Sequence, residues 1–167
     1  MHATTNYGTA SLKHGPLVAQ IVNKLEISHL LDYGCGKQMN LAKVLSGKAP
    51  TLKHYQAYEP AIPELAEAPV PAQMVACIDV LEHIEPELID NVIRELGRIT
   101  TNLGFFSIHM GPAGKTLADG RNAHLIQMPS SWWLKKLTDY FEILHLQSHQ
   151  VMGRGIWMIV THKQDLK

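Results

Sequence analysis

The 167 residues are enough for one domain with a sizeable core, and 15 basic and 15 acidic side chains leave no net charge at pH 7. This balance disfavours an extended nucleic-acid surface, and the chain shows neither a signal-peptide core at its start nor an apolar run long enough to span a membrane. The two cysteines, Cys35 and Cys77, fall in or beside apolar segments, which favours reduced thiols and a cytoplasmic, soluble protein.

Helices and strands alternate in the first half of the predicted structure. Residues 1–10 are polar and are expected to be flexible unless they form a lid over a ligand. The next predicted elements, in order, are a helix over Ser11–Leu25, a strand over 29–33, a helix over about 38–46 and a strand over 54–58.

The second half continues this alternation and ends in a β-hairpin. Its predicted elements are a strand over Met74–Val80, a helix opened by Pro86, a strand over Gly104–Met110, a loop over 111–128, a helix from Pro129 to about Tyr140, and two strands, Phe141–His149 and Gly155–His162, joined at Met152–Gly155. The order predicts an α/β fold, a doubly wound and mostly parallel sheet with a terminal antiparallel hairpin, in a single domain over 1–167.

Three predicted strands end in residues suited to ligand binding. The first runs into the glycine-rich turn Asp32-Tyr-Gly-Cys-Gly36, the second ends at Glu59, and the third carries Asp79 at its end. Parallel strands present their carboxyl ends at one edge of the sheet, where nucleotide-like ligands bind. A dinucleotide-binding G-x-G-x-x-G pattern is disfavoured because Met39 replaces the last glycine.

These segments resemble a known family. Asp32–Gly36, Glu59 and Cys77–His83 are similar to the first, second and fourth motifs of class I S-adenosylmethionine (SAM) dependent methyltransferases, which have a Rossmann-like fold. The resemblance extends from about Ser11 to His162. Lys37-Gln38 departs from the family pattern, and four prolines in residues 60–73 leave no room for a full strand-and-helix unit, so the third strand of the family is expected to be missing or vestigial.

The resemblance implies SAM as the cofactor and assigns residues to it. Glu59, followed by Pro60, would hold the ribose hydroxyls, and Gly34 and Gly36 would let the backbone approach the methionine part. Asp32 would hold the amino-acid end or fix the turn. Asp79 would hold the amino group or orient the acceptor. The cofactor-binding set is therefore Asp32, Gly34, Gly36, Glu59, Pro60 and Asp79.

Asp79 and His124 are the catalytic candidates. The reference pKa of histidine lies near operating pH, so His124 suits a general base, and His109 is a lesser candidate for that role. Two further groups are weaker candidates: Trp132 and Trp133 as the floor of an acceptor pocket, with at least one of them expected in the core, and Tyr7 and His14 as parts of a lid.

A metal site is the alternative to metal-free transfer. Asp79, Glu82, His83 and His124 resemble the ligand set of metal-dependent methyltransferases that modify the 2′-hydroxyl of small-RNA ends, with Asp79 in place of the first Glu. A divalent metal there would lower the pKa of a coordinated hydroxyl. The same Asp-x-x-Glu-His pattern also occurs in metal-free members of the wider family, and metal-free transfer is the preferred interpretation.

The sequence therefore predicts a SAM-dependent methyltransferase that acts on an oxygen or nitrogen of a small-molecule or sugar-like acceptor. A second class is a SAM-binding subunit without activity, which Asp79, Glu82, His83 and His124 argue against. The acceptor and the oligomeric state are left open at this point.

Overall fold

The structure is a computed structural model that describes residues 9–149 and 154–163. Most of the predicted lid, including Tyr7, lies outside the described residues, as do Met152 and Gly153 of the predicted Met152–Gly155 turn. Thr9 and Ala10 are described and belong to the first helix.

Four helices and six strands form the described fold. The helices are α1 (Thr9–Lys24), α2 (Asn40–Leu45), α3 (Ile89–Ile99) and α4 (Ser130–Leu137); the strands are β1 (His29–Tyr33), β2 (His54–Tyr58), β3 (Ala72–Ile78), β4 (Thr100–His109), β5 (Phe141–His149) and β6 (Gly155–His162). Within the described ranges, no helix combines the length and apolar character needed to cross a membrane.

All six strands form one sheet in the order β2-β1-β3-β4-β6-β5. Strands β2, β1, β3 and β4 are parallel, whereas β6 runs antiparallel to both β4 and β5. This is the predicted doubly wound sheet with a terminal antiparallel hairpin, and the fold-class prediction is confirmed.

Two cores lie on opposite faces of this sheet because successive strand residues point to opposite faces. Leu30, Met74 and Phe105 pack with α1 and α2, and their immediate neighbours Leu31, Val75 and Phe106 pack with α3 and α4. The central strands are therefore apolar on both faces, as expected for a sheet covered by helices on each side. Gly34, Gly36, Glu59 and Asp79, which are predicted to bind a ligand, belong to neither core.

The family's third strand is missing, as predicted. Only a single 3₁₀ turn, Pro63–Leu65, is formed between β2 and β3, and Ala72–Ile78 pairs directly with β1. Strand β2 is therefore the edge of the sheet. Proline lacks an amide hydrogen, which explains why this segment cannot extend the ladder.

Several predicted boundaries were wrong; α4, for example, ends at Leu137 rather than at about Tyr140. Pro86 opens a turn over 86–88, and α3 begins only at Ile89. Strand β4 begins at Thr100 rather than Gly104. Its first residues pair with Ala72 of β3, a tertiary contact that the polar Thr101 and Asn102 do not reveal in the sequence.

Candidate functional site

A cavity of about 1060 Å³ lies at the carboxyl-terminal edge of the parallel strands. The ends of β1, β2 and β3 each contribute to its wall, as does the long loop after β4. The predicted site residues that line it are Gly34, Gly36, Glu59, Pro60, Asp79, His83, His109 and His124. The topology thus brings together residues that are up to 90 positions apart in the sequence, which is what a single ligand site requires.

The glycine-rich turn has two different requirements for glycine. At Gly34, φ is +77° and a Cβ would lie 2.5 Å from Cγ2 of Val80, so both the backbone conformation and the space exclude a larger residue. At Gly36, φ is +64°, although nothing lies within 4 Å of an added Cβ. The backbone N–H of Gly34 donates to the carbonyl of Tyr58 at 2.8 Å, which fixes the turn against β2.

Glu59 is held in a defined orientation at the end of β2. Its Oε2 accepts a hydrogen bond from the backbone N–H of Gly36 at 3.2 Å, and its Oε1 accepts one from the N–H of Ala61 at 3.2 Å. A carboxylate has about four acceptor positions, so two backbone donors leave further capacity for ligand hydroxyls. The geometry suits a group that receives two neighbouring hydroxyls.

Asp32 does not line the cavity. It is buried at 2% exposure, and its carboxylate accepts a hydrogen bond from the hydroxyl of Tyr55 on β2. Burial raises the pKa of Asp32 to about 6, although the hydrogen bond from Tyr55 acts in the opposite direction. This placement matches the turn-fixing role rather than direct contact with a cofactor.

Asp79 lies at the end of β3 in a left-handed conformation, with φ of +51°. Such a backbone is uncommon for a residue with a side chain, although aspartate tolerates it better than most, and residues of this kind cluster at functional sites. Ser107 of β4 stabilises it: the Ser107 hydroxyl donates to Oδ1 of Asp79 at 2.5 Å, and the Asp79 N–H donates to the carbonyl of Ser107 at 3.0 Å. Sequence reasoning missed Ser107, although a lone polar residue inside the apolar strand Phe105–Ile108 was a signal.

Three histidines meet beside Asp79. The ring centroid of His124 lies 4.7 Å from that of His83 and 4.9 Å from that of His109. Nδ1 of His83 bonds the carbonyl of Ala123 at 2.8 Å, and Nδ1 of His124 bonds the carbonyl of Gly111 at 2.6 Å. In the neutral ring this assigns the proton to Nδ1 and the lone pair to Nε2.

Burial lowers the pKa of both His83 and His124. Both rings are therefore neutral at pH 7, the form that accepts a proton or binds a metal. Because His124 lines the cavity, it has the protonation state of a general base in contact with a ligand.

Glu82 completes a cluster with the histidines. Ligating atoms of Glu82, His83 and His124 all lie within 4.8 Å of one another. Glu82 is fully buried; its Oε1 accepts from the backbone N–H of His109 at 2.9 Å, whereas its Oε2 has no hydrogen-bond partner among the described residues. Asp79, the fourth predicted ligand, is not a member of this cluster.

The remaining predicted residues lie away from the cavity. Trp133 is fully buried in the core, as expected for at least one of the two tryptophans. Trp132 borders a separate groove between α3 and α4, with Lys136 above its ring. The predicted lid residue His14 is buried instead, and its ring lies 5.4 Å from that of Phe105. His14 lies on the buried face of α1, which packs against the sheet, and not at the edge of the sheet that borders the cavity.

The loop that carries His124 is fixed by Asn122. The side-chain Nδ2 of Asn122 donates to the carbonyl of Ala113 at 2.8 Å, and its Oδ1 accepts from the backbone N–H groups of Ala113 and His124, both at 2.9 Å. Arg121 adds a bidentate pair with Glu85, with both distances 2.8 Å. These bonds hold the His124 ring against the cavity.

Comparison with known proteins supports this architecture at the level of fold. No family model and no curated protein sequence matches the chain, whereas many solved structures do. Mitomycin 7-O-methyltransferase MmcR has a TM-score of 0.66 at 13% identity; the match covers 93% of this chain and 55% of that protein, so this chain spans about half its length.

Two further structures are similar over most of both chains. The Burkholderia thailandensis 1,6-didemethyltoxoflavin-N1-methyltransferase, solved with 1,6-didemethyltoxoflavin and S-adenosylhomocysteine, has a TM-score of 0.64 at 13% identity and coverage of 94% and 80%. The methyltransferase domain of bacterial CtHen1-C has a TM-score of 0.66 at 12% identity and coverage of 91% and 98%. The chain thus has the Rossmann-like fold of class I SAM-dependent methyltransferases, which confirms the resemblance at that level.

Proposed function

We propose that this protein is a SAM-dependent methyltransferase that transfers a methyl group to an oxygen or nitrogen atom of a small-molecule or sugar-like acceptor. The observation that carries the proposal is the cavity itself. The Gly34–Gly36 turn and the pre-oriented Glu59 border the same space as Asp79 and the neutral His124. One wall thus suits the cofactor and the other suits a nucleophile that must lose a proton.

SAM would supply an activated methyl group on a sulfonium centre. Glu59 would accept hydrogen bonds from both ribose hydroxyls, and Gly34 and Gly36 would let the backbone approach the amino-acid part. Asp79, held by Ser107, would orient the amino group or the acceptor. His124 would take the proton from the acceptor through Nε2 while Nδ1 remains bonded to Gly111. The main contribution of the protein is alignment of the two reactants.

A small-molecule acceptor is supported by the size of the cavity. About 1060 Å³ lies at the upper end of the range of roughly 300–1,000 Å³ typical of ligand pockets, a size that suits a cofactor with a modest acceptor beside it. The proposed location is the cytoplasm, where the free thiols of Cys35 and Cys77 would stay reduced.

The cofactor assignment is tested by calorimetry with S-adenosylhomocysteine, the demethylated product, and with NAD. We expect the product to bind and NAD not to bind. Glu59→Ala should lose hydrogen bonds to a charged group, each worth roughly 1.5–3 kcal/mol net. Glu64→Ala, an exposed acid in the following 3₁₀ turn, is the matched control. Unchanged affinity in Glu59→Ala would remove the ribose role, and NAD binding alone would contradict the proposal.

A metal-assisted form of the same reaction is the second candidate, because the cluster of Glu82, His83 and His124 fits a divalent ion. The unpartnered Oε2 of Glu82 and the Nε2 atoms of two neutral histidines would be the ligands, and the carbonyl bonds to both Nδ1 atoms are the usual support for such rings. The metal would lower the pKa of an acceptor hydroxyl. Carboxylate and imidazole ligands suit Mn²⁺, Co²⁺ or Zn²⁺.

A further inference from the structure

We propose that the methyl acceptor is a small amphipathic molecule that carries a carboxylate, with Lys115 binding the carboxylate and Ile84, Leu88 and Leu117 contacting the apolar part. This inference rests on the proposed function, because it concerns the acceptor wall of the same cavity. It narrows the class of acceptor from any small molecule with a nucleophilic oxygen or nitrogen to an acid with an apolar body.

Lys115 lies on the loop after β4, which folds back on itself as a short hairpin. Thr116 forms an antiparallel bridge with Asn122, and the N–H of Leu117 donates to the carbonyl of Arg121 at 2.8 Å. Lys115 and Leu117 line the cavity, whereas Thr116 between them does not. Alternate residues of an extended segment share a face, so the hairpin places Lys115 and Leu117 on its cavity side.

Ala123 connects Lys115 to the histidines of the cavity. The backbone N–H of Ala123 donates to the carbonyl of Lys115 at 2.9 Å, and the carbonyl of Ala123 is bonded to Nδ1 of His83 at 2.8 Å. His124 follows Ala123 directly. Facing residues of an antiparallel pair have Cα atoms about 5 Å apart. A small molecule can therefore place its carboxylate at Lys115 and its nucleophilic atom at His124.

Lys115 contributes positive charge to the acceptor wall. Of the described residues that line the cavity, Lys115 alone is a lysine or an arginine. Glu85 also lines it, but its carboxylate accepts two hydrogen bonds from Arg121, both at 2.8 Å, which balance its charge. Asp119 binds Arg121 as well and does not line the cavity. The wall can thus attract an anion without repulsion from Glu85, and one lysine matches the single charge of a carboxylate.

The other acids in the cavity wall do not lie on this loop. Glu59 follows β2, Asp79 follows β3 and Glu95 lies on α3. Asp79 is held by Ser107, and Glu95 accepts a hydrogen bond from the Tyr33 hydroxyl at 2.6 Å. In the proposed reaction, the sulfonium and ammonium groups of SAM offset the negative charge of these acids. The acids therefore do not require a cationic acceptor.

Three apolar side chains border the acceptor side of the cavity. Ile84 and Leu88 come from the connection between β3 and α3, and Leu117 comes from the loop. The ion pair of Arg121 with Glu85 brings these segments together, because Glu85 follows Ile84 and Arg121 bonds Leu117. Leu88 is 48% exposed, which leaves apolar surface that a ligand can cover. Ligand pockets typically combine such surface with a few polar groups that fix orientation.

The test uses three hydroxy acids with different apolar bodies, each compared with its uncharged amide: 3-hydroxybenzoate, 4-hydroxycinnamate and 3-hydroxydecanoate. The full chain is saturated with S-adenosylhomocysteine, and affinities are measured by NMR titration. We expect at least one acid to bind about threefold more tightly than its amide, within the range for an exposed ion pair. Raising NaCl from about 0.05 M to about 0.5 M should reduce this preference, because salt screens exposed charges.

Lys115→Gln removes the charge but keeps a polar side chain, so the ratio of the two affinities should fall to about one. Lys48→Gln, at an exposed lysine outside the cavity, should keep the wild-type ratio. Leu88→Asn should weaken the acid and the amide alike, by roughly threefold. Leu25→Asn, at a leucine that is 51% exposed and outside the cavity, should weaken neither.

The possible results separate this inference from the proposed function. If the wild-type protein does not bind S-adenosylhomocysteine, both are overturned. If it binds that compound but prefers no acid over its amide, or if Lys115→Gln keeps the preference, the inference alone is overturned. Unchanged affinities in Leu88→Asn would overturn the apolar contact. A thermal melt establishes that each variant is folded; if Lys115→Gln is not, Lys115→Met must abolish the preference or the inference is overturned.

Discussion

At the scale of single residues, burial makes Asp32 a source of pH-dependent stability. The pKa of its carboxyl is raised from 3.8 to about 6, so between these values the folded state binds more protons than the unfolded state. The free energy of unfolding then falls as pH rises from about 4 to 6. Above pH 6, the ionisation of Asp32 no longer changes the free energy of unfolding. A shift of this size corresponds to on the order of 3 kcal/mol.

Asp32→Asn removes this proton without changing the shape of the side chain. Urea unfolding at several pH values between 4 and 7 should show the wild-type protein losing stability relative to Asp32→Asn as pH rises. Other buried acids, such as Glu82, titrate in both proteins and cancel in the difference. A difference between the two proteins that stays constant over this range would contradict the assignment.

The Glu82 cluster gives a second prediction at this scale. If it binds a divalent metal, the Glu82 carboxyl must first lose its proton, and burial followed by the charge of Asp79 raises its pKa well above the usual value. Affinity for Mn²⁺ or Co²⁺ should therefore rise with pH. Calorimetry at pH 6 and pH 8 measures this.

His83→Ala should abolish that binding, whereas His54→Ala, an exposed histidine on β2, should leave it unchanged. Binding that survives His83→Ala would exclude the cluster as its site. If neither ion binds at either pH, metal-free transfer with His124 as the base is the remaining form of the proposed reaction.

At the scale of elements, the loop after β4 depends on Asn122. Asn122→Ala removes three hydrogen bonds, each worth about 1 kcal/mol net, so unfolding should become about 1–3 kcal/mol easier. Amide exchange at Ala113 and His124 should accelerate. Because this loop faces the acceptor side, affinity for S-adenosylhomocysteine should change less than about threefold.

Asn102→Ala, on the exposed start of β4, is the matched control and should alter neither the exchange rates nor the stability beyond roughly 0.5 kcal/mol. Unchanged exchange at His124 in Asn122→Ala would show that other contacts hold the loop. In that case Asn122 would not be a positioning residue.

The same elements show what the sequence can predict. Apolar periodicity located the helices and strands, and four prolines predicted the loss of the third strand. The positions of Gly34, Glu59 and Asp79 at strand ends predicted that they lie at the same edge of the sheet. Parallel strands place their carboxyl ends together at that edge. Contacts between elements were not predictable. The bonds of Tyr55 to Asp32 and of Ser107 to Asp79 depend on strand register, and the bond of Tyr33 to Glu95 depends on how α3 packs on the sheet.

The directions in which side chains point were also not predictable from the sequence. In the metal-site alternative, the three possible ligands of the Asp-x-x-Glu-His segment, Asp79, Glu82 and His83, would converge with His124. The structure brings Glu82 and His83 to His124, but Asp79 turns to Ser107 through its left-handed backbone. A positive φ at an aspartate has no sequence signature, so the departure of Asp79 from the cluster could only be seen in three dimensions.

At the scale of the whole molecule, the proposed function assigns separate tasks to two walls of the cavity. Strands β1, β2 and β3 would supply the cofactor wall, and the loop between β4 and α4 would supply the acceptor wall. The shortened connection between β2 and β3 leaves β2 as the edge of a six-stranded sheet. The antiparallel β5 and β6 complete the sheet on the opposite side.

The most direct test of this account is an experimental structure of the protein with S-adenosylhomocysteine bound. The account predicts both ribose hydroxyls within about 3.2 Å of the Glu59 carboxylate, as for ordinary hydrogen bonds, and the sulfur facing the space between Asp79 and His124. A ligand bound elsewhere, or one whose ribose makes no contact with Glu59, would contradict it.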